Sequence, residues 1–247
     1  MSGLIAVIPV IDEQLGVSCV ESILMPGSAA GFERDELLVV DNTRARLAES
    51  LTLDGVRVHR DPDNHNIGCG RSWNIAIREV LDRGIDYVVL VSQSMFFGPE
   101  LHTTWRAQMD RWWGAKVIEA ESHSWHLIAL HRSCFEAVGV FDPAYYPAYF
   151  EQTDFCYRLR MVGLEQGFVR ASVNALSRGI AQGVNVSGVS CPAGPLLEHY
   201  RERWGGEKGH ETFVQPYGDK PLDYHVEEPI PVLAERYGLG EYGIGWW

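Results

Sequence analysis

The run Leu4-Ile-Ala-Val-Ile-Pro-Val10 ends in Ile11-Asp12-Glu13, where carboxylates take over from apolar side chains. A β-branched stretch without polar alternation reads as a strand buried on both faces, and such strands belong to parallel sheets covered by helices. Glu36-Leu-Leu-Val-Val40 repeats the pattern, Val56-Arg-Val-His59 is a weaker version, and Tyr87 to Val91 is another. Between the last two, Trp73, Ile77, Val80 and Leu81 fall at helical spacing over 71–83, and Gly84 supplies the stop. Strand and helix therefore alternate, which predicts an α/β domain: a mostly parallel central sheet flanked by helices.

Working outward, Gly98-Pro-Glu100 predicts a helix running to about residue 113, with proline in the first turn where its missing N–H costs little. A strand is expected over 125–130 and a short helix over 132–138. An amphipathic helix over 150–162 carries Phe155, Leu159 and Val162 on one side. Beyond Ser172, glycine, serine, asparagine and proline predict loops until a helix over 195–204. The expected organisation is one domain over 1–218. A tail over 219–247 is expected to pack on it.

The composition sets limits. The chain has 247 residues, 46% apolar and 22% charged, enough to bury a sizeable core. With 21 Lys and Arg against 33 Asp and Glu, the net charge of −12 predicts no general nucleic-acid-binding surface. Cys19, Cys69, Cys134, Cys156 and Cys191 include no Cys-x-x-Cys pair, and reduced thiols in a cytoplasmic protein are expected. No signal-peptide pattern and no apolar run long enough to span a bilayer is found.

In an open parallel sheet the ligand crevice lies outside the carboxyl ends of the strands. The residues that follow the strands are Ile11-Asp12-Glu13, Asp41-Asn42 and Ser92-Gln93-Ser94. Asn66-Ile-Gly-Cys-Gly-Arg-Ser72 leads directly into a helix, whose N-terminal amides and positive dipole end can hold a diphosphate. Each residue also has a plainer role. A carboxylate after a strand can be a helix cap or turn former, and Gly68 and Gly70 can merely shape a turn. No Gly-x-Gly-x-x-Gly follows the first strand, which argues against a nicotinamide or flavin site.

Val7-Ile-Pro9, Val39-Val-Asp41-Asn42, Asn66 to Asn74, Asp86-Tyr-Val-Val-Leu90, Gly139-Val-Phe-Asp142 and Tyr149-Phe-Glu-Gln-Thr-Asp-Phe-Cys-Tyr-Arg-Leu159 stand in one order along the chain. In this succession the sequence resembles the family-two glycosyltransferases of the GT-A fold, over about residues 4–169. Tyr200-Arg-Glu-Arg-Trp-Gly-Gly, with Glu211-Thr-Phe and Pro216, is similar to the tails of some bacterial and phage members. The resemblance implies a single GT-A type domain with a Rossmann-like nucleotide-binding half (1–95) and an acceptor half (96–218), and inverting transfer of a sugar from a nucleotide-diphosphate donor, a UDP-sugar first, to a hydroxyl-bearing acceptor. It implies that Pro9, Asp41 and Asn42 lie at the base and ribose, and Asn66, Gly68, Arg71 and Asn74 beside ribose and diphosphate. Arg71 at the helix start could offset the charge of the leaving group; its plainer role is that of a solvated arginine.

Two positions depart from the family. Ser92-Gln93-Ser94 stands where members carry the Asp-x-Asp that holds Mn2+ or Mg2+, so the metal ligands are unknown and a silent nucleotide-sugar binder is an alternative. A nucleotidyltransferase is a further one, although Pro9-Val-Ile-Asp-Glu13 is not its usual Gly-rich basic loop. The helix pattern reads Glu151-Gln152-Thr153-Asp154 in place of a Glu-Asp pair. Inversion needs a carboxylate base, and Glu151 and Asp154 share a helix face. Either carboxylate can instead complement the helix dipole. Trp112, Trp113, Trp125, Tyr145, Tyr146, Tyr149 and Phe150 flank the expected acceptor side, mostly as core. His199 and His210 are possible late metal or phosphate ligands.

Overall fold

The computed structural model describes residues 3–43, 47, 55–121, 125–164, 168–177 and 193–239. Its sheet has seven strands: β1 (Leu4–Val10), β2 (Leu37–Asp41), β3 (Arg57–His59), β4 (Tyr87–Val91), β6 (Val117–Ala120), β7 (Leu127–His131) and β8 (Phe168–Ala171), in the order β3-β2-β1-β4-β7-β6-β8. β1 pairs in parallel with β2 and β4, and β2 with β3. β7 runs antiparallel to both its neighbours, β4 and β6, while β8 is parallel to β6. For β6 and β7 the reason is local: only six residues separate them in sequence, and a parallel return would need a crossover of a dozen or more.

Alternate residues of each central strand feed two cores. Ile5, Val7, Leu38, Val40, Val88 and Leu90 pack with α2 (Cys69–Arg83), α4 (Arg132–Val138), α5 (Glu151–Met161), α6 (Ala193–Trp204) and α7 (Ile230–Arg236). Ala6, Ile8, Leu37, Val39, Val89 and Val91 face α1 (Glu13–Leu24) and α3 (Trp105–Arg111). Burial on both faces accounts for the apolar strands read from the sequence, and each fully buried aliphatic side chain contributes about 1.5–3 kcal/mol.

The second half corrects several expectations. The helix expected from 98 starts only at Trp105, where the Thr104 hydroxyl accepts the Ala107 N–H. Residues 98–100 are instead held extended against 27–29 by Ala29 N–H to Gly98 O and Glu100 N–H to Gly27 O. β6 was not expected, nor was the two-stranded ribbon of β5 (Met95–Phe97) and β9 (Ala175–Ser177). Residues 178–192, read as loop and containing Cys191, lie outside the described residues, as does 240–247 of the tail. Within the tail, α7 buries Leu233 and Ala234, and the Tyr237 hydroxyl donates to Ala144 O at 2.8 Å. Among the described residues no helix is long and apolar enough to cross a membrane.

Candidate functional site

Parallel pairing brings the carboxyl ends of β1, β2 and β4 to one edge, together with residues 11–12, 41–43 and 92–94. Most polar side chains there are tied to the scaffold. Gln93 is buried, and its Oε1 accepts the backbone N–H of Ile11 at 2.8 Å and of Asp12 at 3.0 Å. Asp12 caps α1 by accepting the Leu15 N–H. Asp41 accepts the Thr43 N–H and hydroxyl through Oδ1, and the Leu47 N–H through Oδ2. The same Oδ2 pairs with Arg60 Nη1 at 2.6 Å. Arg60 escaped the sequence reading; its signal was its place directly after β3, as Asp41 stands at the end of β2. Pro9 lies half-buried in β1 beside Val40.

The glycine turn is built from the same kind of cross-ties. Asn42 Nδ2 donates to the Ser72 hydroxyl and its Oδ1 accepts the Ile67 N–H, fastening the end of β2 to the first turn of α2. Asn66 Oδ1 accepts the Gly68 N–H, and the Asn66 carbonyl accepts the Tyr146 hydroxyl. Gly68 caps α2 at φ 79°, and a Cβ there would stand 2.8 Å from Pro147 O and 2.9 Å from the Tyr146 ring. Only glycine fits both the angle and the space. Asn74 clamps Phe141 through its N–H and carbonyl at 3.0 and 2.8 Å. Arg71, half-buried, donates to the Glu228 carbonyl of the C-terminal segment.

Glu151 opens α5 against this turn: a side chain at Gly70 would begin 3.7 Å from Glu151 Cβ. It is 2% exposed, and its Oε2 is buried without a hydrogen-bond partner among the described residues. Burial pushes its pKa up to about 7, against the backbone N–H groups of Glu151 and Tyr149 and the Cys69 thiol, which favour the charged form. The Cys69 thiol is raised well above its usual range by burial and then by Glu151, so it stays protonated as a donor.

Asp154, one turn on, is placed differently. Its carboxylate is 0% exposed and saturated: Arg158 Nε at 2.9 Å and Nη2 at 2.8 Å on Oδ2, Trp204 Nε1 at 2.9 Å and Arg203 Nε at 2.7 Å on Oδ1. Burial would raise its pKa, but Arg158 and Arg203 outweigh burial and hold it below the usual carboxylate range. Asp142 joins the network, 2.9 Å from Arg203 Nη1, 3.5 Å from His199 Nε2 and 3.8 Å from His225 Nδ1. Burial works against its charge as well. The neighbouring His199 and His225 and the Arg203 charge prevail, and its pKa lies well below the ordinary value. The shared helix face of Glu151 and Asp154 thus leads to two environments, one open to a new bond and one closed.

Ser92-Gln93-Ser94 does not fit a divalent ion: Gln93 Oε1 holds two amides, the hydroxyls of Ser92 and Ser94 bond each other at 2.9 Å, and none of the three is a carboxylate. Asp61, Asp63 and His65 bring possible ligand atoms within 4.8 Å of one another, but Asp61 Oδ2 already accepts the N–H groups of Asp63 and His65 in a turn. His210 is exposed, whereas His199 packs edge-on to Tyr145 at 4.8 Å. Of the aromatic residues, Tyr145 and Tyr146 are buried, Trp113 packs on Tyr87, and Trp112 and Tyr149 are exposed.

The sequence matches no protein-family model and no curated protein. In three dimensions it is similar to the crystal structure of S. aureus TarS, with a TM-score of 0.50 and 12% identity over 69% of this chain and 35% of TarS. The fold is GT-A-like. TarS has also been crystallised with UDP and with UDP-GlcNAc. A mannosyltransferase from Pyrobaculum calidifontis, in complex with GDP-Man and Mn2+, gives a TM-score of 0.49 at 13% identity over 78% of this chain and 59% of that one. A cytidylyltransferase from Leptospira borgpetersenii gives 0.40 at 12% identity over 70% and 76%. The chain thus spans about a third of TarS and three fifths of the mannosyltransferase.

Proposed function

We propose that this chain is an inverting glycosyltransferase, related to family two, that moves a sugar from a nucleotide-diphosphate donor to a hydroxyl acceptor. Glu151 carries the reading. A buried carboxylate with one unbonded oxygen, a pKa near 7 and a place beside the first turn of α2 is suited to take a proton at neutral pH. The acceptor oxygen forms its bond to the anomeric carbon as the bond to the diphosphate breaks. Its proton passes to Glu151 Oε2, and the nucleoside diphosphate leaves with the electron pair. The N-terminal end of α2 complements the charge that grows on the leaving group, with Arg71 beside it. Asp41, Asn42 and Pro9 would line the nucleoside end, and Asn66 and Gly68 the diphosphate.

The donor in this reading is a UDP-sugar first, as supported by the UDP complexes of TarS. Residues 1–95 would hold it and 96–218 the acceptor. No step is routed through a metal, because the residues at 92–94 do not fit one. Calorimetry with UDP, GDP and dTDP tests the donor half: one should bind, and Asp41→Ala should weaken it by about 1–3 kcal/mol as a buried hydrogen bond is lost. Equal affinity in that variant would remove Asp41 from the site. Two observations favour a second reading, a nucleotide-sugar binder without transfer. Gln152 stands where the family has an acid, and the Gln93 Oε1 is taken up by two backbone amides.

A further inference from the structure

A cavity of about 620 Å3, within the range of small-molecule sites, lies away from the strand ends and is lined by α6, the 3-10 turn Pro216–Gly218 and the segment that leads into α7. Its inner wall is Asp142 and Ala144. The loop they belong to continues to Tyr146 and Pro147, which bond Asn66 and Cys69 of the glycine turn, and then to Glu151. One loop therefore forms the inner wall of the cavity and, further along, packs on the turn beside the candidate base.

The chemistry of the walls selects the ligand. Most lining charges are cancelled in place: Arg203 pairs with Asp142 at 2.9 Å and Arg236 with Glu228 at 2.7 Å. Glu202 remains as an acceptor. Lys220, its Nζ 4.0 Å from Asp219 Oδ1 and 5.6 Å from the centre of the Tyr224 ring, keeps N–H groups to donate. Tyr217 and Tyr224 meet edge to face at 6.1 Å and offer ring surface. Arg203, 99% buried, has an Nη2 without a well-formed hydrogen bond to the described residues. A simple anion would meet Glu202 and Glu198, and a simple cation would meet Lys220 and Arg203. A neutral polyhydroxylated ring satisfies both signs, since each hydroxyl donates and accepts while the C–H face packs on tyrosine.

We propose that this cavity binds a saccharide, and, resting on the transferase reading, that the saccharide is the acceptor. The test is saturation-transfer NMR with glucose, galactose, mannose and N-acetylglucosamine at millimolar concentration, with inorganic phosphate as the anionic control. At least one sugar should receive saturation, and Tyr224→Ala and Glu202→Gln should each weaken it roughly three- to tenfold. Tyr224→Phe, which keeps the ring, should bind as wild type, and UDP affinity should not change in any variant. The proposal is overturned by saturation of none of the sugars, by a sugar indifferent to both variants, or by binding of phosphate in place of sugar. UDP binding without sugar binding would remove this site and leave the donor reading intact. Sugar binding without binding of any nucleotide would keep the cavity but remove its role as acceptor site.

Discussion

Among single residues, Glu151 and Gly68 are the most sensitive positions of the site. Glu151 ionises near 4.5 in the unfolded chain and near 7 in the folded one. Between those values the unfolded state loses its proton first, so the folded state weakens as pH rises through 7. Replacing the carboxyl by an amide removes that penalty: Glu151→Gln should match wild type in stability at pH 4 and exceed it at pH 8 by up to about 3 kcal/mol. Urea unfolding at the two pH values measures this, and an equal difference at both would show that Glu151 is not held neutral by burial. Gly68→Ala meets a positive φ and a Cβ contact of 2.8 Å at once, and should cost about 1–3 kcal/mol in the same assay. The sequence made Gly68, Asp41 and Glu151 visible because they sit at strand ends or helix starts. It could not separate ligand contacts from scaffold ties. Gln93 bonds Ile11 and Asp12 some eighty residues away, and Asn74 bonds Phe141, and no local pattern encodes such partners.

Among the elements, the strands of the first half were legible because they are apolar on both faces, and α2 because glycine bounds it at both ends, whereas α1, capped by Asp12 and Met25, was not read. β1 and β4 fall where their residues predict, and α2 begins only two positions before the expected 71. The second half was harder to read. β6 is four residues long and β5 three, too short for periodicity, and each is fixed by its partner strand. Proline at 99, a good helix opener, occupies an extended bridge to Ser28 instead. The joint between α5 and α6 is an ionic one that no spacing revealed. Arg203 and Arg158 neutralise Asp142 and Asp154 in a buried cluster, and removing one partner of such a cluster is more costly than replacing it whole. Arg203→Met should therefore destabilise the protein by about 3–5 kcal/mol in chemical denaturation. The depressed carboxylates add stability that is present above their ordinary pKa of 3.8 and is lost as pH falls below it. A loss under 1 kcal/mol in Arg203→Met would mean that the network contributes little.

For the whole molecule, the sheet order and the antiparallel β7 give a GT-A-like frame whose strand-end edge lacks the carboxylates of a metal site at 92–94. Transfer should then keep more than half of its rate in excess EDTA, and complete loss that Mn2+ restores would show that ligands elsewhere hold an ion. The most direct measurement of the central claim is release of nucleoside diphosphate from UDP-, GDP- and dTDP-sugars, followed by mass spectrometry for wild type and Glu151→Gln. Release from at least one donor is expected, with turnover in the variant lower by about 10²–10⁴ and nucleotide affinity nearly intact. Release from no donor by a protein that still binds the nucleotide, or equal rates in the two proteins, would contradict it.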